Sequence, residues 1–224
     1  MRKLLILFTI VITISGCGAK EAQSPDFLYG SKLYNNFVQF YLKGKTRLAD
    51  MAFANSENQF LKMDAMCNLS RIYIGRLVLE EEGMDDAVLS RAIEYAKIGK
   101  CESESVVISF LQGEEYDKKV LLEPYSLIAG AKADELVNVA GDDKLPGYTR
   151  TRLLRKAALQ YISSDPSKAE ITAEAALVID RFHGWSLNIL RDLTIIKVAR
   201  EKSGKDFKDI NKRIELVKTV LSKK

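Results

Sequence analysis

From residue 27 to the end of the chain, apolar residues recur at three- and four-residue spacing. This is the period of helices that each turn one face inward. The spacing predicts a helix over residues 27–42. Leu33, Phe37 and Tyr41 form its stripe, Tyr34, Val38 and Phe40 lie beside them, and Gly44 breaks it. A shorter helix is predicted over 46–55, with Leu48, Met51, Ala52 and Phe53 inward. Residues 58–82 carry the widest apolar stripe, from Phe60 and Leu61 through Leu69, Ile72 and Tyr73 to Leu77 and Val78, and predict the central helix. The acids of Glu80-Glu81-Glu82-Gly83 oppose the helix dipole at its end. Asp85 or Asp86 caps the next helix, which turns Val88, Leu89, Ala92, Ile93 and Ala96 inward and closes at Gly99.

In residues 102–113, Val106-Val107-Ile108 favours a strand. Ser105 supplies a helix cap, however, and no partner strand is predicted elsewhere, so a short helix is expected. A charged loop follows over 113–119, and Pro124 opens a helix expected to reach Val139. Helices are then predicted over 148–162, 167–181, 185–202 and 207–221. Pro146, Ser164-Asp165-Pro166, Phe182-His183-Gly184, Gly204 and Asp206 punctuate them. No hairpin turn and no alternating strand pattern is found.

The expected fold is therefore all-α and built from antiparallel helix pairs. Residues 147–182 and 185–222 form pairs of similar length, and 58–99 a slightly longer one. Ala92-Ile93-Glu94-Tyr95-Ala96-Lys97 resembles the second helix of a tetratricopeptide repeat, and Leu69 and Tyr73 resemble first-helix positions. The resemblance implies a tetratricopeptide-like α-solenoid forming one domain over 27–224. It is incomplete: Tyr73 and Ala92 lie about ten residues too far apart for the repeat, and no unit carries the full signature. An irregular helical bundle is the alternative.

The first residues set the context. Arg2 and Lys3 precede an apolar run from Leu4 to Ile14, the layout of a signal peptide, and the run is too short to span a bilayer. Ile14-Ser15-Gly16-Cys17 resembles the lipobox of bacterial lipoproteins. That resemblance implies a signal peptide over 1–16, lipidation of Cys17 with palmitate-type acyl chains, and a lipidated tether over 17–26. Two or more chains anchor a protein stably. The tether from Gly18 to Asp26, fully extended, reaches roughly 30 Å. Gly18, in place of Asp, implies the periplasmic face of the outer membrane. The expected location is the cell envelope, with the membrane as one partner.

Formal charge is +4, and loss of Arg2 and Lys3 with the leader brings it to +2, which gives no argument for nucleic acid. The charge is segregated: acids outnumber bases between Glu80 and Asp143, and bases prevail from Lys144 onward. Arg150, Arg152, Arg155 and Lys156 form a basic run in which Arg152, Arg155 and Lys156 share one helix face. Such a face suits an anionic partner, or is simply solvated. The junction Arg181-Phe182-His183-Gly184-Trp185 holds the single tryptophan beside a helix break, either as an interface anchor or in the core. Cys67 and Cys101 lie equidistant from the turn near Gly83, so a hairpin brings them together. Either a disulfide or two buried thiols fits.

Chemistry finds little support. His183 is the only histidine, and no HExxH, GxSxG, P-loop or dinucleotide motif occurs. Glu102-Ser103 and Glu104-Ser105 are similar to the Glu-Ser of helical lytic transglycosylases, without that family's other motifs. No catalytic residue, cofactor or metal is expected. The reading is a non-enzymatic adaptor or assembly factor for an envelope complex serving secretion, pilus, outer-membrane or cell-wall machinery, with an envelope protein as its partner. The alternatives are a solute-binding or transport-associated lipoprotein, although no residue indicates a small-molecule ligand, and a cell-wall hydrolase. A deep cavity would favour the solute binder, and an open groove the adaptor.

Overall fold

A computed structural model describes residues 24–80 and 85–222. The leader, Cys17, Gly83 and most of the tether lie outside the described residues. Among the described residues every regular element is a helix. These are α1 (Pro25–Leu42), α2 (Thr46–Lys62), α3 (Met66–Glu80), α4 (Asp86–Gly99), α5 (Glu102–Gln112), α6 (Tyr125–Ile128), α7 (Ala133–Ala140), α8 (Gly147–Tyr161), α9 (Pro166–His183), α10 (Ser186–Lys202) and α11 (Lys208–Ser222). The fold is all-α, with neighbouring helices packed in pairs: α1 on α2, α3 on α4, α8 between α7 and α9, and α10 between α9 and α11. Helix α10 also meets α1, so the two ends of the array approach each other. The Trp185 indole donates to Gln39 Oε1 of α1 at 3.0 Å, and Arg191 donates to the Glu80 carbonyl at the end of α3 at 3.0 Å.

Helix α1 starts at Pro25 because Ser24 accepts the Phe27 N–H and proline suits a first helical turn. The predicted tether therefore ends earlier than residue 26. Six helices finish in one motif, in which a residue at or just after the C-cap takes a left-handed conformation and two N–H groups reach back into the last turn. Gly44, Gly113, Gly184 and Gly204 fill that position after α1, α5, α9 and α10. Asp64 (φ 52°) and Lys100 (φ 51°) fill it after α2 and α4.

Asp64 overturns one expectation. The central helix predicted over 58–82 is two helices. Phe60 and Leu61 belong to the end of α2, which runs past residue 55, and α3 begins at Met66. The Asp64 N–H donates to the Leu61 carbonyl and the Ala65 N–H to the Phe60 carbonyl, closing α2 without a glycine. The inward face of α2 is also rephased. Ala49, Ala52, Phe53, Ser56 and Phe60 are buried, while Leu48 and Met51 are 44% and 55% exposed. Small residues turn inward because α2 lies close against α1. Ser56 donates to the Gly30 carbonyl at 2.9 Å, and a Cβ on Gly30 would meet the Phe60 ring at 3.1 Å. The helix expected from Pro124 to Val139 is likewise broken into α6 and α7, by extended Ala129 and left-handed Gly130 (φ 75°).

The amino-terminal core is a ladder of rings. Phe37 meets Phe53 with centroids 5.0 Å apart, Phe53 meets Tyr73 at 5.0 Å, and Tyr73 meets Tyr95 at 5.7 Å, linking α1, α2, α3 and α4. Both tyrosine hydroxyls donate to Glu57. Cys67 and Cys101 are joined in a disulfide with Cα atoms 5.5 Å apart, tying the first turn of α3 to the start of α5. Gly99 leaves room for that bond, since a Cβ there would fall 2.6 Å from the Cys101 Sγ. The left-handed turn therefore passes to Lys100.

Candidate functional site

Helices α1, α3, α5, α8 and α10, with the 122–128 segment, surround a cavity of about 580 Å³. None of its walls comes from α2, α4, α7, α9 or α11, so one helix of each pair faces the cavity and its partner lies outside. The volume lies in the range of pockets that hold one small ligand. Val38, Leu42, Ile74, Val107 and Leu153 form buried aliphatic wall. Tyr34, Tyr125 and Tyr148 add polar tips, and charged side chains from α3, α5, α8 and α10, among them Arg71, Glu104, Arg152, Lys156 and Arg191, complete the lining. Burial, then Tyr125 and Tyr148, raises Tyr34 well above the ordinary phenol range. Burial pushes Tyr125 up to about 12, partly offset by the charge of Arg152. Gly75 on α3 makes room for the Tyr34 hydroxyl, because a side chain there would collide with it.

The basic run expected to form one exposed face, for an anionic partner or for solvent, does not form such a face. Arg152, Arg155 and Lys156 all line the cavity, because α8 is enclosed by α7, α9 and α10 and has little surface left for solvent. Arg155 is 4% exposed. Its Nη1 lies 2.8 Å from Asp180 Oδ2 on α9 and 3.4 Å from Asp192 Oδ1 on α10. Both acids are buried, and Asn188 donates to Asp180 at 3.3 Å. Burial raises Asp192 strongly, the Arg155 charge offsets this in part, and the adjacent Asp180 raises it further. Arg155 is thus a buried structural cation, and reversing it to glutamate would place a third acid beside two buried ones. Arg150 is half-buried and donates to the Ala140 carbonyl at the end of α7, a carbonyl left open by the helix terminus.

Lys156 and Arg152 line the cavity one helical turn apart, both half-buried, and Arg191 of α10 lines it as well. Burial, then the Arg152 charge, lowers the Lys156 ammonium below the usual lysine range. Lys156 Nζ lies 3.5 Å from the Ile128 carbonyl. No ion pair joins Lys156 to a carboxylate among the described residues. Arg71 adds a more exposed guanidinium, engaged by Glu104.

The aromatic junction is split. Trp185 is 2% exposed and belongs to the amino-terminal core, so its anchor reading is corrected to a packing one. His183 stacks on it with centroids 4.2 Å apart and planes 13° from parallel, above Gly147 at the start of α8. Arg181 is exposed, and Phe182 is 86% exposed. Phe182 ends a stripe with Ile171 and Val178 on the outer face of α9, each of which is 66% exposed.

Among the described residues, Cys67, Cys101 and Glu104 are grouped closely enough to suggest a metal. Both sulfurs are consumed in the disulfide and Glu104 is held by Arg71, so the group offers no thiolate. Sequence reasoning missed the cavity because its walls come from five separated helices. The buried triad did leave a sign. Asp180 continues the buried spacing of Ala173, Ala176 and Leu177, and Asp192 that of Ile196 and Ala199. A charge on an apolar stripe implies a buried partner. Compared with protein-family models, curated proteins and solved structures, the chain matches none.

Proposed function

We propose that this chain is a lipid-anchored envelope protein that binds a small molecule inside its helical array without turning it over. The single observation that carries the reading is the cavity of about 580 Å³ bounded by the inner helices. Its size, and a wall that combines buried aliphatic side chains with convergent polar and charged ones, suit a ligand site. The lipobox resemblance of Ile14-Ser15-Gly16-Cys17 supplies the address. The test is mass spectrometry of the full chain extracted from its membranes. A small molecule at near one-to-one stoichiometry is expected, and it is lost when Val78→Phe fills the cavity. Extraction of an empty protein, identical for wild type and variant, sinks the reading. Cys17→Ser should separately release the chain from membranes or leave it uncleaved.

A second reading keeps the protein as an adaptor for an envelope complex, and the apolar stripe on α9 favours it. An exposed run of Ile171, Val178 and Phe182 is the kind of patch a partner covers. Crosslinking in intact membranes, with and without Val178→Asp and Phe182→Asp, tests it. Capture of one envelope protein that both changes abolish supports the adaptor, while capture unaffected by them removes the stripe from consideration.

A further inference from the structure

Resting on the small-molecule reading, we infer that the cavity's ligand is an uncharged, largely apolar carbonyl compound, a ketone or quinone in type. Its oxygen is held by the Tyr34 and Tyr125 hydroxyls, and its skeleton lies along the aliphatic wall. Tyr34 of α1 and Tyr125 of the 122–128 segment both line the cavity. Burial is the largest cause of the raised pKa of each, yet each keeps a half-buried surface as part of the cavity wall. Buried tyrosines elsewhere in the fold donate to carboxylates. Tyr73 and Tyr95 donate to Glu57, and Tyr161 donates to Asp134. Tyr34 and Tyr125 donate to no protein atom among the described residues. Tyr125 is one of the groups that act on Tyr34, so the two hydroxyls share one region of the cavity. Gly75 lines the same region and keeps the space at the Tyr34 hydroxyl open.

An enclosed hydroxyl needs a polar partner, since leaving it unpaired away from water is costly. What surrounds Tyr34 decides the charge of that partner. Its own burial, Tyr125 and Tyr148 act on it, and no cation is among them. A carboxylate or phosphate beside Tyr34 would therefore be a buried anion without a counter-charge, the costliest case. Three of the cavity's cations are committed to protein oxygens: Arg71 to Glu104, Arg155 to Asp180 and Asp192, and Arg191 to the Glu80 carbonyl and Asn188. A carbonyl oxygen has two lone pairs and no proton, so it can accept from both phenols and needs no acceptor in return. The rest of such a ligand meets Val38, Leu42, Ile74, Val107 and Leu153, none more than 5% exposed. A sugar would leave its own hydroxyls unpaired against that wall, whereas a hydrocarbon skeleton has none to satisfy.

The test uses three probes of one skeleton. Benzophenone carries a ketone, diphenylmethane carries no oxygen, and diphenylacetate carries a carboxylate. Each is titrated into the full chain in lipid nanodiscs, with uptake by empty discs subtracted. Benzophenone should bind about fivefold or more tightly than diphenylmethane, the size expected for one hydrogen bond, and more tightly than diphenylacetate. Irradiation should attach it to α1 and α3, and its isotope-labelled carbonyl stretch should move to lower frequency on binding. Tyr34→Phe keeps the ring and removes only the hydroxyl. It should abolish most of the preference over diphenylmethane and return the stretch toward its position in an apolar solvent. Tyr125→Phe should do the same to a smaller extent, and Val78→Phe should weaken binding of all three probes. Diphenylacetate binding as tightly as benzophenone overturns the uncharged oxygen. Benzophenone no tighter than diphenylmethane, or a stretch untouched by both phenylalanine variants, overturns the tyrosine-held oxygen. Both of these results leave a small-molecule cavity standing. Absence of binding by all three probes, with no labelling of α1 or α3, overturns the cavity reading together with this one.

Discussion

Between α1 and α4 the helices meet through rings, whereas between α8 and α10 they meet through alanines. Phe37, Phe53, Tyr73 and Tyr95 form the first core, and the disulfide ties its edge. Ala157, Ala158, Ala169, Ala173, Ala176 and Ala199 are wholly buried in the second. Small side chains let α8, α9 and α10 approach closely, but they bury little apolar area each. Arg155 fills the space where the three helices converge and binds Asp180 and Asp192. The ring ladder tolerates loose phasing, since aromatic pairs accept a range of tilts. The ion triad does not, because a buried charge needs its partner in place. The cavity lies where these two kinds of core face each other, with α1 and α3 on one side and α8 and α10 on the other.

The strongest way to break the comparison is Arg155→Met. It leaves two buried acids uncompensated and should cost about 3–5 kcal/mol in denaturant unfolding. Adding Asp180→Leu and Asp192→Leu should return much of that loss, because a well-packed apolar replacement of a buried ion group is often neutral. If Arg155→Met alone changes stability by less than about 1 kcal/mol, the triad does not hold the carboxyl-terminal core together. Phe53→Ala, at the centre of the ladder, should cost a comparable 3–5 kcal/mol through lost transfer energy and a cavity. It should not respond to pH, as no titrating group is removed.

Replacing Cys67 and Cys101 by alanine should cost about 2–4 kcal/mol, by freeing the unfolded chain. Peptide mapping of unreduced exported protein should show the two residues linked, and free thiols at both would remove the bond from the account.

The pH dependence of the carboxyl-terminal half is smaller in effect and has a definite sign. Asp192 has a folded-state pKa above its unfolded value near 3.9. The stability it contributes is therefore complete below about pH 4 and declines as pH rises toward the raised value. Asp192→Asn keeps the shape and can still donate to Asp180, so it should flatten that decline and gain most at alkaline pH. A decline that is equally steep in the variant points to other groups. The smallest expected effect is that of His183→Ala. It removes the ring stacked on Trp185 and should cost about 0.5–1.5 kcal/mol, with ligand capture unchanged. Loss of capture without loss of fold would reopen His183 as a site residue.

Much of the helical layout could be read from the chain alone. The all-α class, the starts of α4 and α9 at Asp85 and Asp165, and the ends of α1, α9 and α10 at Gly44, Gly184 and Gly204 follow from local rules of period, capping and left-handed turns. Asp64 and Lys100 escaped those rules because they take a conformation usually left to glycine, in contexts that only packing explains. At Gly99 the glycine is needed for the Cys67–Cys101 bond, so the strained turn moves one residue on. The basic run of α8 reads as a surface because a helix in isolation has a polar side. Whether that side meets water depends on which helices enclose it, and α7, α9 and α10 are contributed by other parts of the chain. Local sequence thus determined where the chain turns and which residues prefer burial. Only the tertiary structure decided that Arg155 is neutralised inside the fold and that Arg152 and Lys156 face a cavity, because burial and charge balance depend on neighbours that local sequence does not specify.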